Sequence, residues 1–467
     1  MDKYFSSQEF TDSLKRYEEA IANGESVYLE ADELTDIAEY YHAKGQLDKA
    51  IQTIEYAIYL FPDATEPLIF RARAALLIEG NADKARSYIE KIEDKTDLDY
   101  YYIYAEILIN ENKANEANHY LKECIDEVDT DEVEDYYLDV AQLFTDYELY
   151  DIAKNWLQLS KDTDSKEYLE IRGRIAMGNR HFDESDRIFN SLIDQNPFSG
   201  LYWNLLAASQ LMRNDIQSSI TSSEYSIAIN PNDTDAILNK GNALFQLGNY
   251  EEALKCYQHL IELMPEEDTG EILLGKTLLL MGKTEEAISH LKRALELSDE
   301  HSQNYFEICQ QLAFSLSILG KLDEALLYLD KTEKLPCDHN EMMVIRGHIY
   351  LENKKTEEAQ QCYHQAIRAS GSSTRILMRI AVSLYDNGYL RIAYKIFKAL
   401  LPDGQENHLN GYSYLAVCAK ELGKEDEFLQ YVKTATTNNP TEARNVLAGY
   451  FPKGMEPEEY YNYLINQ

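Results

Sequence analysis

The chain has little positive charge and little proline for its length, and each scarcity argues against a class of protein. Its 467 residues include 44 basic and 82 acidic side chains, which gives a formal net charge of −38. Nucleic acids and anionic membrane surfaces are bound through clustered Lys and Arg, so this charge argues against both as partners. With only 10 Pro and with 45% hydrophobic residues, the composition is that of a folded chain rather than a disordered one.

Long apolar stretches and closely paired cysteines are also missing. The longest nearly apolar window, residues 272–281, contains Lys276 and is too short to cross a bilayer. The first residues lack the apolar segment of a secretory signal. The 6 Cys include no CxxC pair, which fits a reducing compartment. These features predict a cytoplasmic protein without membrane insertion.

What the sequence does contain is an internal repeat. Pro197, Pro231 and Pro265 are separated by the same interval. The segment Asn-Tyr-Glu-Glu-Ala at 249–253 has a similar counterpart one such interval later, at 283–287. A period of about 34 residues is typical of a helix-turn-helix unit that recurs along the chain.

Small residues recur at a fixed interval within each unit. In most units a small residue in the middle of one helix is followed, at the same spacing, by another in the next helix; the last unit departs from this, because Phe428 follows Ala416. Examples are Ala105 with Ala117, Gly241 with Ala253, and Gly347 with Ala359. Helices that cross closely need small side chains at the contact, because a larger group would overpack it. Between Ala72 and Ala85 the spacing is longer by one position, which predicts one extra residue in that turn.

Glycine and proline mark the ends of the predicted helices. Glycine is the usual residue just after a helix, because it readily adopts a left-handed backbone. Such glycines follow the first helices, at Gly45, Gly248, Gly282, Gly320, Gly388 and Gly423. Prolines close the second helices, where they prevent continuation, at Pro62, Pro231, Pro265 and Pro440.

The pattern resembles the tetratricopeptide repeat family. The residues that carry the likeness in two adjacent units are Trp203, Ala207, Ser219, Pro231, Gly241, Leu244, Gly248, Tyr250, Ala253, Tyr257 and Pro265. The resemblance implies an all-α fold, a right-handed superhelical solenoid of about twelve helix-turn-helix repeats with helical caps. We expect an N-terminal capping half-repeat at 1–30, the repeats at 31–440 and C-terminal capping helices at 441–467. Irregular segments are expected at 298–304 and 402–408.

Motifs that would indicate catalytic or metal chemistry are explained better by packing. Residues 270–277 match a phosphate-binding pattern, but the stretch is apolar and lies within a predicted repeat helix. Cys337 with His339 and Cys362 with His364 lack the further ligands that a tetrahedral zinc site needs. We therefore expect no catalytic residue, no cofactor and no metal ion.

The resemblance also implies that the first helices line a concave groove, which holds a peptide or protein segment. The expected groove residues are Tyr102, Glu106, Asp135, Asn204, Asn242, Phe245, Lys276, Arg375 and Arg379. Some family members grip a terminal carboxylate with a clamp of Lys, Asn and Arg. Arg375 and Arg379 match its last helix, but Ile345 stands where the clamp needs Asn, so we do not expect a full clamp.

The N-terminal and C-terminal parts of the predicted groove differ in charge. Residues 101–150 hold 14 acidic and 2 basic side chains, whereas residues 351–400 hold 4 acidic and 8 basic ones. One hypothesis is that a basic or aromatic-basic segment of a partner binds the N-terminal half, by charge complementarity and cation–π contact. The alternative is a solvated acidic face that keeps the protein soluble.

Tyrosine is abundant, with 36 in the chain, and most fall on packing positions. In the runs 100–102 and 136–137, adjacent helical residues point apart, so we expect some of these rings to be exposed.

Together these features predict a non-catalytic scaffold or adaptor for protein–protein interaction, with a peptide or protein segment bound in the groove. Two alternatives stay open. One is a structural solenoid that self-assembles through its ends. The other is a regulatory subunit whose curvature changes when a small ligand binds. The identity of the partner and the oligomeric state do not follow from the sequence.

Overall fold

The computed structural model describes residues 2–5, 7–93, 95–300, 302–332, 338–401, 410–452 and 454–466. Throughout these ranges every regular element is a helix, and the helices follow one another in helix-turn-helix pairs, which confirms the all-α prediction. The predicted irregular segment at 402–408 and the predicted Cys337 pairing lie outside the described residues.

The helices belong to two compact units, Met1–Asn239 and Lys240–Gln467, called unit 1 and unit 2 below. Helices α1 to α14 lie in unit 1 and are Asp2–Phe5, Gln8–Asn23, Ala31–Ala43, Leu47–Leu60, Thr65–Leu77, Ala82–Ile89, Leu98–Asn110, Ala114–Cys124, Val133–Asp146, Tyr150–Leu157, Lys166–Gly178, Phe182–Gln195, Gly200–Met212 and Ile216–Ile229. Helix α15, Thr234–Gln246, contains the boundary between the units.

Helices α16 to α28 lie in unit 2 and are Tyr250–Leu263, Thr269–Leu280, Thr284–Leu297, Gln303–Ile318, Leu322–Lys331, His339–Glu352, Thr356–Ala369, Thr374–Asp386, Leu390–Leu400, Tyr412–Glu421, Glu425–Asn438, Pro440–Leu447 and Pro457–Ile465. Short 3-10 helices follow α8 and α27, at Ile125–Glu127 and Ala448–Tyr450.

Each odd-numbered helix from α3 to α13 packs on the helix that follows it, and the same holds from α17 to α25 in unit 2. We call the odd-numbered member the first helix of its pair and the even-numbered member the second. First helices also contact each other, as α5, α7, α9 and α11 do in unit 1. The first helices therefore lie side by side, and the faces they share are the natural place for a groove.

The turns inside the pairs confirm the expected glycine conformation. Gly45, Gly248 and Gly388 have φ angles of 71°, 74° and 78°, in the left-handed region. Elsewhere a residue with a side chain occupies the same turn position with a positive φ, as at Asn112, Glu148, Arg180, Asn214 and Lys354. The α5–α6 turn spans residues 78–81, one more than the α3–α4 turn at 44–46, so the predicted extra residue is confirmed.

Close contact between the two helices of a pair depends on a small residue in the first helix. A Cβ added at Gly173 would lie 2.8 Å from the Phe189 ring, and one at Gly347 would lie 2.4 Å from the Tyr363 ring. The two rings occupy the same position of the second helix in their repeats. Three pairs with alanine in the first helix have a smaller partner at that position, Leu121, Leu157 and Leu329 for Ala105, Ala141 and Ala313, whereas Ala381 meets an aromatic ring there, Phe397.

Both ends of the chain add helices that pack on their neighbours. In α2 the buried side chains are Phe10, Ser13 and Tyr17, at the spacing seen in a second helix. Helix α28 begins with Pro457 and contacts α26 and α27, and its buried Tyr460 stacks on Phe451 with ring centroids 3.8 Å apart. The division of the chain into terminal caps and central repeats stays a prediction.

Gly173→Ala tests the crossing contact. The added methyl meets the buried Phe189 ring, so we expect the free energy of unfolding to fall by about 1–2 kcal/mol in chemical denaturation. In a Phe189→Leu background the same substitution should be neutral or slightly stabilising, because it recreates the Ala–Leu pairing of other repeats and alanine favours helix. An equal effect of Gly173→Ala in both backgrounds would contradict this explanation.

Gly388→Ala tests the turn backbone separately from packing. No atom lies within 4 Å of the added Cβ, so any loss of stability arises from the positive φ alone. We expect a loss of about 1 kcal/mol in urea unfolding. Lys354→Ala is the matched control, since Lys354 already carries a side chain at a φ of 61°, and it should change stability little. Similar losses in the two variants would argue against a backbone cause.

Candidate functional site

The first helices of unit 1 form an open acidic groove. Helices α5, α7 and α9 enclose a cavity of about 590 Å³. Its lining residues are Arg73, Leu77, Asp99, Tyr102, Glu106, Asp139, Gln142, Leu143, Asp146 and Tyr147. Two residues predicted for the groove, Tyr102 and Glu106, thus lie together on α7.

Side chains about one repeat apart are joined across this groove. The Tyr102 hydroxyl donates to Asp139 Oδ2 at 3.0 Å, and Asn110 Nδ2 donates to the Tyr147 hydroxyl at 3.2 Å. The Arg73 guanidinium donates to Glu106 Oε1 from Nε at 3.2 Å and from Nη2 at 3.1 Å. These contacts fix the relative positions of α5, α7 and α9 at the groove surface.

Loss of solvation raises the pKa of several carboxyl groups in the groove. Glu106 is buried, and the loss of solvation raises the pKa of its carboxyl group although Arg73 acts in the opposite direction. Burial likewise raises the pKa of Asp139, while the hydroxyl of Tyr102 lowers it. The pKa of Tyr102 is raised by burial and by the charge of Asp139, so its hydroxyl stays a proton donor.

The acidic surface continues from α9 onto α11. A neighbouring cavity of about 220 Å³ is lined by Asp135, Leu138, Asp139, Gln142, Glu167, Glu170 and Ile171. The predicted residue Asp135 thus lies next to the first cavity rather than in it. Burial raises the pKa of Glu170. At the edge, Arg174 Nη2 lies 2.7 Å from Asp146 Oδ1, which also accepts a hydrogen bond from Gln142.

Asn204, on α13, is buried and engaged within unit 1. Its Nδ2 donates to both carboxylate oxygens of Asp233 at 2.9 and 2.8 Å, and Asp233 also accepts from the Ser226 hydroxyl. The Asn204 amide therefore helps to hold the turn after α14 in place.

The predicted residues of unit 2 lie on three separate parts of it. Asn242 accepts a hydrogen bond from Tyr257, and Phe245 packs on Tyr250 with ring centroids 5.7 Å apart. Lys276 Nζ lies 2.7 Å from Glu307, within the helical segment that resembled a phosphate loop.

The two arginines of α23 differ in their surroundings. Arg375 pairs with Asp338 and with Glu341, the latter at 3.2 Å. Arg379 lines a cavity of about 260 Å³ together with Phe314, Val344, Ile345, His348, Val382, Ser383 and Asp386. Within the described ranges no acidic side chain pairs with Arg379. Burial lowers the pKa of His348, which contacts the Ser383 hydroxyl at 3.0 Å.

The expectation about the tyrosine runs is wrong in part. Tyr100, Tyr101 and Tyr136 are only 8%, 2% and 0% exposed, and Tyr102 and Tyr137 are half-buried. The reason is that the first helices have neighbours on several sides, so adjacent residues that point apart still meet another helix. None of these five rings is fully exposed.

Several groove residues were not anticipated from the sequence, and Arg73 is the most important of them. It stands 33 residues before Glu106, close to one repeat period. The repeat register was therefore the available signal: a basic residue one period before a groove acid marks an ion pair between neighbouring first helices.

Known sequences support the repeat assignment along part of the chain. Family models described as tetratricopeptide repeat match residues 2–65, 233–300 and 341–372, and a tetratrico peptide repeat model matches 275–348. The small glutamine-rich tetratricopeptide repeat-containing protein 2 of Mycosarcoma maydis is 30% identical over 110 residues, which are 23% of this chain and 31% of that protein. The chain thus spans about a third of the length of this curated relative.

Solved structures show more distant similarity. YrrB, described as a TPR protein with an unusual peptide-binding site, has 20% identity and a TM-score of 0.34, covering 40% of this chain and 95% of its own. A MamA protein has 17% identity and a TM-score of 0.33, covering 36% of this chain and 90% of its own. Across the described ranges, no helix combines the length and apolarity needed to span a bilayer.

Asp139→Asn tests the cost of the groove charge. Because the pKa is raised in the folded state, wild-type stability falls as pH rises from the ordinary aspartate value through the raised one. Asparagine does not ionise, so the variant does not lose this stability. Its amide oxygen still accepts the hydrogen bond from the Tyr102 hydroxyl. We expect the variant to melt about 1–2 °C higher than wild type at pH 7 and equally near pH 4. Asp151→Asn, an exposed carboxylate on α10, is the matched control. A lower melting temperature for Asp139→Asn at pH 7 would refute this reading.

Proposed function

Because the chain is a tetratricopeptide repeat protein, a family typical of protein–protein interaction, we propose that it is a non-catalytic cytoplasmic scaffold. In this proposal it needs no cofactor, and it binds a basic segment of a partner protein in the acidic groove of unit 1. The central contact residues are Tyr102 and Asp135, together with Asp139 on α9, while Glu106, also a predicted contact, is buried and paired with Arg73.

The observation that carries the proposal is the unbalanced charge of the groove. The two arginines beside it are already paired, Arg73 with Glu106 and Arg174 with Asp146. In the part of the chain that the structure describes, no basic side chain pairs with the remaining acids, Asp99, Asp135, Asp139, Glu167 and Glu170. A Lys- or Arg-rich segment supplies the counter-charges that the protein itself does not place there.

The groove also offers surface for the apolar part of a basic side chain. Tyr102, Tyr147 and Leu138 are half-buried and lie among the acids. Long basic side chains lay their methylene stems on such surfaces while the charged group reaches a carboxylate. A basic partner segment therefore matches the site in two ways. Its charges complement the carboxylates, and its methylene stems fit the ring and leucine surfaces between them.

Unit 2 contributes a second contact region in this proposal. Asn204 remains a predicted contact of unit 1, and Asn242, Phe245, Lys276, Arg375 and Arg379 remain predicted contacts of unit 2. Arg379 is the best placed of these, because it lines a cavity that has both apolar and polar side chains, Asp386 among them, and no acidic side chain among the described residues is paired with it. An acidic or polar element of the partner suits it.

The test is capture of partners from a lysate of the source cells on the immobilised protein, with wild type beside Asp135→Asn/Asp139→Asn. We expect at least one protein that is retained in near-stoichiometric amount by wild type and reduced about tenfold by the variant. Its retention should also fall about tenfold between low and moderate salt, because the contact is between exposed charges. Quantitative mass spectrometry gives both numbers.

Glu116→Gln/Asp151→Asn is the control, since it removes the same charge from exposed positions on the second helices α8 and α10. It should retain the partner as wild type does. Identical capture by wild type and groove variant, with no response to salt, would leave the solvated acidic face as the better explanation.

A further inference from the structure

A second cavity lies on the side of α7 that faces away from the groove. It has a volume of about 540 Å³ and is enclosed by α6, α7, α8 and the 3-10 helix after α8. Tyr100, Tyr101 and Tyr104 of α7 line it, together with Tyr120 of α8. The tyrosine run 100–102 is therefore divided: Tyr102 belongs to the groove, and the two residues before it belong to this cavity.

The four rings line the cavity and contact one another at different angles. The Tyr104 and Tyr120 rings are 4.6 Å apart between centroids and inclined by 57°. Tyr101 meets Tyr120 edge to face at 6.1 Å, and Tyr100 lies nearly parallel to Tyr104 at 6.2 Å. Tyr100 and Tyr101 are buried, whereas Tyr104 and Tyr120 are half-buried and accessible to a ligand. We call this set the tyrosine cage.

Acidic side chains border the cage. Glu90, Glu123 and Glu127 line the cavity, and all three are exposed. The Tyr101 hydroxyl donates to Glu127 Oε2 at 2.7 Å, which holds this carboxylate at the cavity wall. The one arginine of the lining, Arg86, is neutralised by Glu111, from which its Nη2 lies 2.6 Å. The cavity therefore combines ring surfaces with negative charge.

The chain's own cations already use these rings. The Arg86 guanidinium lies over the Tyr104 ring at 5.6 Å from its centroid, and Lys95 Nζ lies over Tyr100 at 5.9 Å. Both distances are within the range of attractive cation–π contacts, about 6 Å. Lys95 is exposed and sits in the connection between α6 and α7. It is an internal competitor for the position that a cationic ligand would take.

We propose that the tyrosine cage binds an alkylated ammonium ion, presented by a methylated lysine side chain or by a choline-type headgroup. The faces of aromatic rings attract positive charge. They are poor substitutes, however, for the hydrogen bonds that water makes with an unsubstituted ammonium group. Alkylation removes most of those hydrogen bonds, so such a cation enters the cage at a low cost in hydration. The glutamates of the rim add charge complementarity.

This site is separate from the basic-segment groove in both position and chemistry. The groove is lined by first helices, while the cage lies between α6, α7 and α8 and combines four tyrosine rings with three glutamates. Asp135→Asn/Asp139→Asn should therefore leave ammonium binding unchanged, and failure of one proposal does not imply failure of the other.

The test is titration of the purified full chain by calorimetry or by NMR at constant ionic strength. The probes are choline, its neutral isostere 3,3-dimethylbutan-1-ol, and a short peptide containing trimethyl-lysine beside the same peptide with unmodified lysine. We expect choline to bind with a Kd of about 1 mM and at least about tenfold more tightly than the isostere. The two peptides should differ about tenfold in the same direction if a methylated lysine is the natural ligand.

Substitutions in the cage test whether choline binds there. Tyr120→Leu should weaken choline binding about fivefold or more, while Tyr120→Phe, which keeps the ring, should retain it. Tyr225→Leu, at an exposed tyrosine of α14 in the same unit, is the matched control and should bind as wild type. Lys95→Ala should tighten binding severalfold, because it removes the internal competitor and one positive charge.

The outcomes are distinct. Tighter binding by Lys95→Ala and loss with Tyr120→Leu support the cage. If choline and its isostere bind equally, the site recognises shape and not charge, and the proposal is wrong. The absence of binding by choline and by the trimethyl-lysine peptide, up to about 10 mM in wild type and in Lys95→Ala, would also overturn it. Binding of choline without preference between the peptides assigns the cage to a free headgroup.

Discussion

The structure depends on one packing constraint, the close contact of two helices within each pair. The first helix approaches so closely that a glycine or alanine is needed where it meets a large side chain of the second. Gly173 faces the Phe189 ring, and Gly347 faces the Tyr363 ring, with no room for another carbon atom. Where a pair repeats this contact, the rotation of its first helix is set, and with it the side chains that the helix turns toward its neighbours.

Because the rotation of the first helices is fixed, side chains about one repeat apart lie next to each other and form an extended surface. Contacts between neighbouring first helices join residues about one period apart: Tyr102 and Asp139 are separated by 37 positions, and Arg73 and Glu106 by 33. The same spacing joins His348 to Ser383 in unit 2, at 35 positions. The groove residues are thus free to vary in chemistry, because the small residues of the crossing, and not the groove, hold the pairs together. The tyrosine cage follows from the same geometry on the opposite side of α7.

The sequence predicted the fold more fully than the site, for a physical reason. Helix ends, the left-handed glycines and the longer α5–α6 turn follow from local backbone preferences that a single segment reveals. The close contact between Gly173 and Phe189 can be predicted only when the sizes of both side chains are considered together. Burial of Tyr100 and Tyr101 depended on which neighbours surround α7, and the pattern of that helix alone suggested exposed rings. Arg73 could be placed only through the repeat register.

The raised pKa values in the groove bear on whether its acids serve solubility or binding. A carboxylate that only keeps a protein soluble is best placed in full contact with water, where its charge costs nothing. Glu106, Asp139 and Glu170 instead have pKa values raised by burial, so their charged forms weaken the folded state at neutral pH. If a basic segment binds there as proposed, its positive charge offsets this cost, and the stability lost by the free protein becomes part of the affinity. The raised pKa values therefore support the proposal that this surface binds a basic segment.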